Sequence, residues 1–448
     1  MERIWKRGSA TIHAAPGAGK TRFTGATFLR MRAAGWAERM VVVVPNSALR
    51  SQWRESLFDM GISLDDEPRD SWQELRGTHG AVVTYHSLPN SAMAHQRELH
   101  QRTTLVVLDE VHHAGDKATW GRAVNHMVGD VTGEVHASGV LNLTGTLFRS
   151  TGSKQISTVQ YRRSEIDPAK FEAIEDYSVK TSQLVPQYLR PPNVYTYGAD
   201  VRLLDTSTAE IVEGEIADLD AQQKTAVLRE QWSSKSWVDG FAAEALRLLQ
   251  LQQEVVGRAE PLKLLYIAAN QQAAKRAANT LNQLTRSNFA RLVISDEPSA
   301  DRVLRQAAKE RTSLAIVSVR MVTEGFDCPA VSTIAYASNV IADLTIAQTM
   351  ARAMRITNTE RQLAKVLPAQ ILIPDHPRLK ASFSEALIGR MHLINDEQEA
   401  LAGVGPGVGG SGPTMPRYQV VDLTGPVLRG ATVVGAPDGE VLADELAE

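Results

Sequence analysis

Short apolar runs of strand length recur along the chain, and stretches with helical spacing lie between them. Ser9–His13 reads as a strand, and about Gly19 to Ala34 as a helix ended by Gly35 at its C′ position. Met40–Val44 reads as a buried strand, and Ser47–Asp59 as a helix with Ser47 as N-cap. Ala81–Tyr85, Thr104–Leu108 and Val140–Leu143 are further strand runs. Strands alternating with helices predict an open parallel sheet with helices on both faces. Such sheets bind ligands at the carboxyl ends of their strands.

The alternation breaks between about Tyr161 and Gln231, where Pro168, Pro186, Pro191, Pro192 and many acidic residues occur. This stretch reads as a connecting segment with a few strands, Asn193–Tyr197 among them. A long helix over about Ser234–Val255 restores the pattern. Strands at Leu262–Ile267, Arg291–Ile294, Ser313–Val317, Ser332–Tyr336 and Gln370–Ile373, with a helix at Gln271–Leu284, predict a second α/β sheet. The interval Gly403–Pro413 is Gly-rich. The expected division is lobe 1 at 1–155, a connector at 156–233, lobe 2 at 234–400, and a Gly-rich linker with an acidic tail at 401–448.

The charge balance narrows the function classes. Lys+Arg 48 against Asp+Glu 51 gives −3, which excludes binding of nucleic acid through bulk positive charge but allows a local basic groove. The acidic excess sits in the tail: residues 376–448 carry 5 basic and 10 acidic side chains. No apolar run approaches the ~18–20 residues of a membrane span. Cys328 is the only cysteine, so an intramolecular disulfide and a multi-cysteine zinc site are excluded. The start, Met1–Gly8, is charged and lacks the apolar core of a secretory signal. A soluble, cytoplasmic protein is the expectation.

Two segments carry chemistry. Ala14-Ala15-Pro16-Gly17-Ala18-Gly19-Lys20-Thr21 fits the [AG]-x4-G-K-[ST] phosphate-binding loop, between a strand and a helix. Glycines let backbone N–H groups point at phosphate oxygens, and the helix start adds partial positive charge. Lys20 is placed to reach the β/γ phosphates, and Thr21 to ligate Mg2+. Pro16, Gly17, Ala18, Gly19 and Arg22 complete the loop. The second segment, Leu105–His112, ends a buried strand with Asp109 and Glu110. Asp109 is the expected Mg2+ holder, and Glu110 the group that polarises the attacking water. His112 and His113 are adjacent, which is not the i,i+4 spacing of a zinc helix.

At this point the chain resembles the superfamily 2 helicases, DExH-box branch, with Asp109-Glu110-Val111-His112 as that box. Other elements follow in family order. Val44–Trp53 is similar to motif Ia, and Thr84–Leu88 to the next nucleic-acid-contacting motif. Leu143–Arg149 is similar to motif III, and Leu264–Ala268 stands in the motif IV position. Val322–Asp327 is similar to motif V, and Gln348–Arg355 to motif VI. The resemblance spans about residues 9–356, closest to restriction-enzyme motor subunits and excision-repair helicases. It implies an α/β fold of two RecA-like parallel-sheet lobes with ATP between them. Arg352 and Arg355 would be arginine fingers. Gly325 and Asp327 would contact nucleotide. His112, Thr144, Thr146 and Gln348 would couple nucleotide state to lobe geometry. Asn46, Arg50, Thr84, Tyr85 and Thr323 would touch nucleic acid. Tyr85 and Trp53 are either base-stacking groups or core.

The chain departs from the family pattern in places. Gly145 and Leu147 replace the usual Ala and Pro of motif III, and Ala351 the usual Gly of motif VI. Only 13 residues precede Ala14, where the family has an adenine-recognition segment. Either the natural start lies upstream of Met1 or adenine is read loosely, and weak base discrimination is the expectation. The implied activity is an ATP-dependent, Mg2+-requiring helicase or translocase, acting on DNA more than RNA. A nuclease or methyltransferase partner subunit is the expected source of any cleavage or modification. An ATP-gated DNA clamp, or translocation without strand separation, is the rival.

Overall fold

A computed structural model describes residues 8–15, 17–66, 77–112, 114, 118–129, 137–145, 147–150, 156, 158–165, 171–257, 260–294, 300–319, 328–341, 343–362, 366–388, 392–394 and 417–433. The chain forms two compact units. Unit 1 comprises residues 1–180 and 391–406, and unit 2 comprises 181–390 and 407–448.

Unit 1 runs β1 (Ser9–Ala14), α1 (Lys20–Ala33), β2 (Arg39–Val44), α2 (Ser47–Phe58), β3 (Asp65–Asp66), β4 (Gly80–Thr84), α3 (Leu88–Gln101), β5 (Thr104–Leu108), α4 (Ala118–Val128) and β6 (Gly139–Thr144). Three short strands follow, β7 (Leu147–Ser150), β8 (Tyr161–Arg163) and β9 (Phe171–Ala173), and then β10 (Tyr177–Val179). The main sheet is parallel throughout, in the order β10-β1-β6-β5-β2-β4-β3. Val41, Val42, Val43 and Val44 are wholly buried. That is the continuous apolar strand of a sheet covered on both faces, and each such side chain contributes roughly 1.5–3 kcal/mol. Asn46, not Ser47, caps α2: its side chain accepts from the Leu49 N–H at 3.0 Å.

Unit 2 begins with α5 (Thr181–Leu184) and then β11 (Pro192–Asp205) and β12 (Glu210–Glu215). Next come α6 (Ala221–Glu230), α7 (Lys235–Val256), β13 (Lys263–Ala268), α8 (Gln271–Thr285), β14 (Ala290–Val293), α9 (Ala300–Lys309) and β15 (Leu314–Ser318). It ends with β16 (Val331–Ala337), α10 (Asp343–Ala353), α11 (Asn358–Gln362), β17 (Ala369–Pro374) and α12 (Pro377–Ile388). Its sheet order is β12-β11-β17-β16-β13-β15-β14, parallel from β11 to β14 and antiparallel at β12. α7 supplies much of the core through Trp237, Phe241, Ala245 and Leu249.

Two strands end the described chain. β18 (His392–Ile394) pairs in parallel with β7 in a four-stranded sheet of unit 1. β19 (Tyr418–Val433) runs antiparallel along the length of β11. The segment expected as a connector therefore divides. Its first part, through Lys180, belongs to unit 1, and β11 is a sheet strand of unit 2. The stretch expected to be a Gly-rich linker and acidic tail, 401–448, holds a 16-residue strand. No described helix is long and apolar enough to cross a membrane.

Candidate active site

The phosphate-type loop links β1 to α1. Gly17 and Gly19 have φ of 86° and 85°, a left-handed backbone that a side chain would strain. The Ala18 N–H donates to the Ala15 carbonyl at 3.0 Å and tightens the turn. α1 has no side-chain cap and no acidic residue in its first turn. Its positive end is left for an anion. Lys20 is the first residue of that helix, with Thr21 half-buried behind it and Arg22 exposed.

The acidic pair sits where β5 ends. The Lys20 Nζ donates to Glu110 Oε1 at 2.7 Å, and the Gly145 N–H donates to Glu110 Oε2 at 3.0 Å. The His112 ring lies 3.7 Å from the same oxygen. Glu110 itself has φ 47°, a conformation uncommon for a non-glycine residue. Burial pushes the Glu110 carboxyl up, but Lys20 and His112 and the bonds from Lys20 and Gly145 outweigh it and hold it below the usual range. Asp109 goes the other way. Burial raises it, and the Glu110 charge adds to the rise against the opposing pull of Lys20 and the Trp53 hydrogen bond. Neighbouring carboxyls with opposed shifts are the mark of two different roles.

Asp109 is 5% exposed. Its Oδ2 accepts from the Trp53 indole N–H at 2.8 Å, and its main-chain carbonyl accepts from the Tyr85 hydroxyl at 3.1 Å. Its Oδ1 has no hydrogen-bond partner among the described residues. A buried carboxylate oxygen left open in this way fits a hard, oxygen-seeking cation such as Mg2+. The described residues hold no cluster of three His, Cys, Asp or Glu able to bind a metal unaided.

Two of the residues expected to couple nucleotide state to lobe geometry lie close to this centre. His112 and Thr144 are buried. Thr144 is in register with His13, the buried residue before Ala14 on β1. His13 Nδ1 is 3.1 Å from Glu175 and 3.2 Å from the Ser178 hydroxyl. Burial lowers the His13 pKa despite the Glu175 carboxylate. Sequence reading missed His13, because its partners on the β10 side are more than 160 residues away.

The expected nucleic-acid residues divide. Asn46 and Arg50 are half-buried at the start of α2. Thr84 is 7% exposed, and its hydroxyl is engaged with Ser87 at 3.0 Å. Tyr85 is fully buried and stacks on Trp120. Trp53 is 2% exposed. Neither aromatic can stack on a base, and Tyr85 cannot touch nucleic acid, because both point into the core.

In unit 2, Gln348 and Arg352 lie on α10 and Arg355 just beyond it. Gln348 is buried, Arg352 and Arg355 half-buried. Burial lowers the Arg355 pKa to about 10, so it stays a cation near neutral pH. The end of α10 is held by the segment before β11. Leu189 forms an antiparallel bridge with Arg355, and the Arg190 N–H donates to the Met354 carbonyl at 2.6 Å. The fully buried Arg190 guanidinium donates to both Glu360 oxygens at 2.8 and 2.6 Å. It also donates to the Val331 and Ala353 carbonyls at 2.7 and 3.0 Å. Pro16, Thr146, Thr323, Gly325 and Asp327 lie outside the described residues.

Comparison with known proteins agrees with this layout. Residues 2–149 match the family described as "Type III restriction enzyme, res subunit". The uncharacterized protein Rv2917 of Mycobacterium tuberculosis is 31% identical over 388 residues, 85% of this chain and 60% of the relative. The chain thus spans about three fifths of that relative's length. Among solved structures, a fragment of an HsdR subunit of a type I restriction enzyme from Vibrio vulnificus matches with TM-score 0.55 at 14% identity. That match covers 88% of this chain and 67% of the other. The Mycobacterium smegmatis helicase Lhr, bound to ssDNA and AMP-PNP, matches with TM-score 0.50 at 15% identity, covering 88% of this chain and 48% of the other. The two units are tandem RecA-like lobes.

Proposed function

We propose that the protein is a superfamily 2 helicase-like, nucleic-acid-stimulated ATPase that moves along DNA, a reading supported by the restriction-enzyme family that residues 2–149 match. The observation that carries the reading is the pairing of Lys20 with Glu110, beside Asp109, at the carboxyl ends of β1 and β5. Lys20, the N–H groups of residues 17–21 and the positive end of α1 would bind the phosphates of ATP. Thr21 and Asp109 would hold Mg2+, which when bound neutralises phosphate charge. Glu110, ionised and anchored by Gly145, would orient the attacking water and take its proton as the bond to the departing phosphate breaks. ATP and water would leave as ADP and phosphate. Arg352 and Arg355 would act as arginine fingers that stabilise charge on the transferred group.

Support for a DNA track comes from the Lhr structure, which holds ssDNA, and from the restriction-enzyme family matched by residues 2–149. A nuclease or methyltransferase partner subunit remains part of the proposal. Displacement of streptavidin from biotinylated DNA tests it. ATP-dependent clearance that Glu110→Gln abolishes is the expected result. Binding and turnover without clearance would replace the motor with an ATP-gated clamp.

A further inference from the structure

Two segments reach one residue. Asn46 caps α2, Arg50 lies in its first turns, and Trp53 follows on the same helix stripe, at spacings of four and three residues. Thr84 ends β4, and Tyr85 follows it. In each segment the aromatic turns inward and donates to Asp109. The Trp53 indole reaches the carboxylate Oδ2, and the Tyr85 hydroxyl reaches the main-chain carbonyl.

We propose that Trp53 and Tyr85 are positioning residues that fix Asp109 from the two segments lining the nucleic-acid face of lobe 1, and so transmit strand occupancy to the nucleotide site. The proposal rests on the ATPase reading above. An indole N–H can only donate, so Trp53 selects a single acceptor oxygen. Oδ2 is committed to it, and Oδ1 is the atom left for a cation. The bond is buried at both ends and charge-assisted, which makes it a stiff coupling rather than a surface contact. Tyr85 fixes the backbone of the same residue, and its stacking on Trp120 holds the phenol in place. A small displacement of α2 by a bound strand is therefore felt at Oδ1, because no slack remains between the helix and the carboxylate.

The test uses the full chain with Mg2+, AMP-PNP and single-stranded DNA. Trp53→Phe and Tyr85→Phe each remove a donor and keep a ring. Indole-15N-labelled protein gives a resonance for Trp53, identified by its loss in Trp53→Phe. In the wild type that resonance shifts when Mg2+ and AMP-PNP bind, and shifts again with DNA. Trp53→Phe raises the Mg2+ concentration for half-maximal turnover about tenfold. It also removes most of the DNA stimulation, while nucleotide affinity without Mg2+ is kept. Tyr85→Phe lowers stimulation by a smaller factor. A wild-type spectrum in which no indole N–H resonance moves with either ligand overturns the proposal even if Trp53→Phe fails to fold. So does an unchanged Mg2+ dependence in a folded, active Trp53→Phe. A wild type that neither binds nor hydrolyses ATP overturns the underlying ATPase reading and this inference with it.

Discussion

Lys20 Nζ and Glu110 Oε1 are 2.7 Å apart, so the proposed phosphate-binding cation and the proposed base are each other's partner. An incoming phosphate competes with Glu110 for the lysine. Glu110→Gln removes the competing charge. It should abolish turnover while tightening nucleotide binding about fivefold, ~1 kcal/mol for a largely shielded ion pair. A fluorescent ATP-analogue titration reads the affinity, and a weakened Kd would contradict the competition.

The same pair sets a pH dependence. Glu110 has a depressed pKa, so its contribution is present above the ordinary carboxylate range and lost as pH falls through the depressed value. Lys20→Ala leaves that half-buried carboxylate without its lysine partner, at a cost of about 1–2 kcal/mol near neutral pH. The deficit should shrink on acidification, as Glu110 takes up a proton in the variant. The double variant Lys20→Ala/Glu110→Gln should recover most of the stability at pH 7. Urea unfolding at pH 7 and pH 5 checks both, and a pH-independent deficit would refute the assignment.

Arg190 and Glu360 form a fully buried bidentate pair against the end of α10. Glu360→Gln should destabilise the protein by roughly 3 kcal/mol, since it leaves a buried guanidinium short of charge. Replacing both, with Arg190→Met and Glu360→Leu, should restore the melting temperature more than the turnover. The double variant keeps apolar packing but loses the bonds to Val331 and Ala353 that place the residues before Arg355. Full recovery of both would mean the pair has no part in placing Arg352 and Arg355.

The two expected nucleic-acid segments should respond differently. Arg50→Ala should weaken single-stranded DNA binding and lower the slope of log affinity against log salt by about 0.7. Tyr85→Phe should leave polymer affinity unchanged, because that ring is buried. Fluorescence anisotropy across a salt series distinguishes them.

Local rules made part of this legible. β1, α1 and β5, with Lys20, Asp109 and Glu110 at their ends, follow from apolar runs, glycines and charged residues within about ten positions of each other. Trp53 and Tyr85 were readable as aromatic but not as donors to Asp109, since an aromatic at helical or strand spacing carries no sign of where its polar end goes. Arg190 and Glu360 are 170 residues apart, and no spacing rule joins them. β11 was legible in part, as Asn193–Tyr197, but not as a strand of the second sheet, because Pro191 and Pro192 suggest a connector, although Pro192 is its first residue, where a missing N–H is tolerated. β19 was hidden by Gly425 and Pro426 in its middle. That stretch coincides with the register shift between Gly198 and Asp200 on β11, where an edge strand accommodates such residues.

The central claim is ATP hydrolysis coupled to a polynucleotide. The most direct measurement is the rate of ATP hydrolysis with no polymer, single-stranded DNA, duplex DNA and RNA, with Glu110→Gln as the blank. The account predicts turnover in the wild type that one DNA form raises at least tenfold, and none above background in the variant. Equal rates with and without every polymer, or a Glu110→Gln variant as active as the wild type, would contradict it.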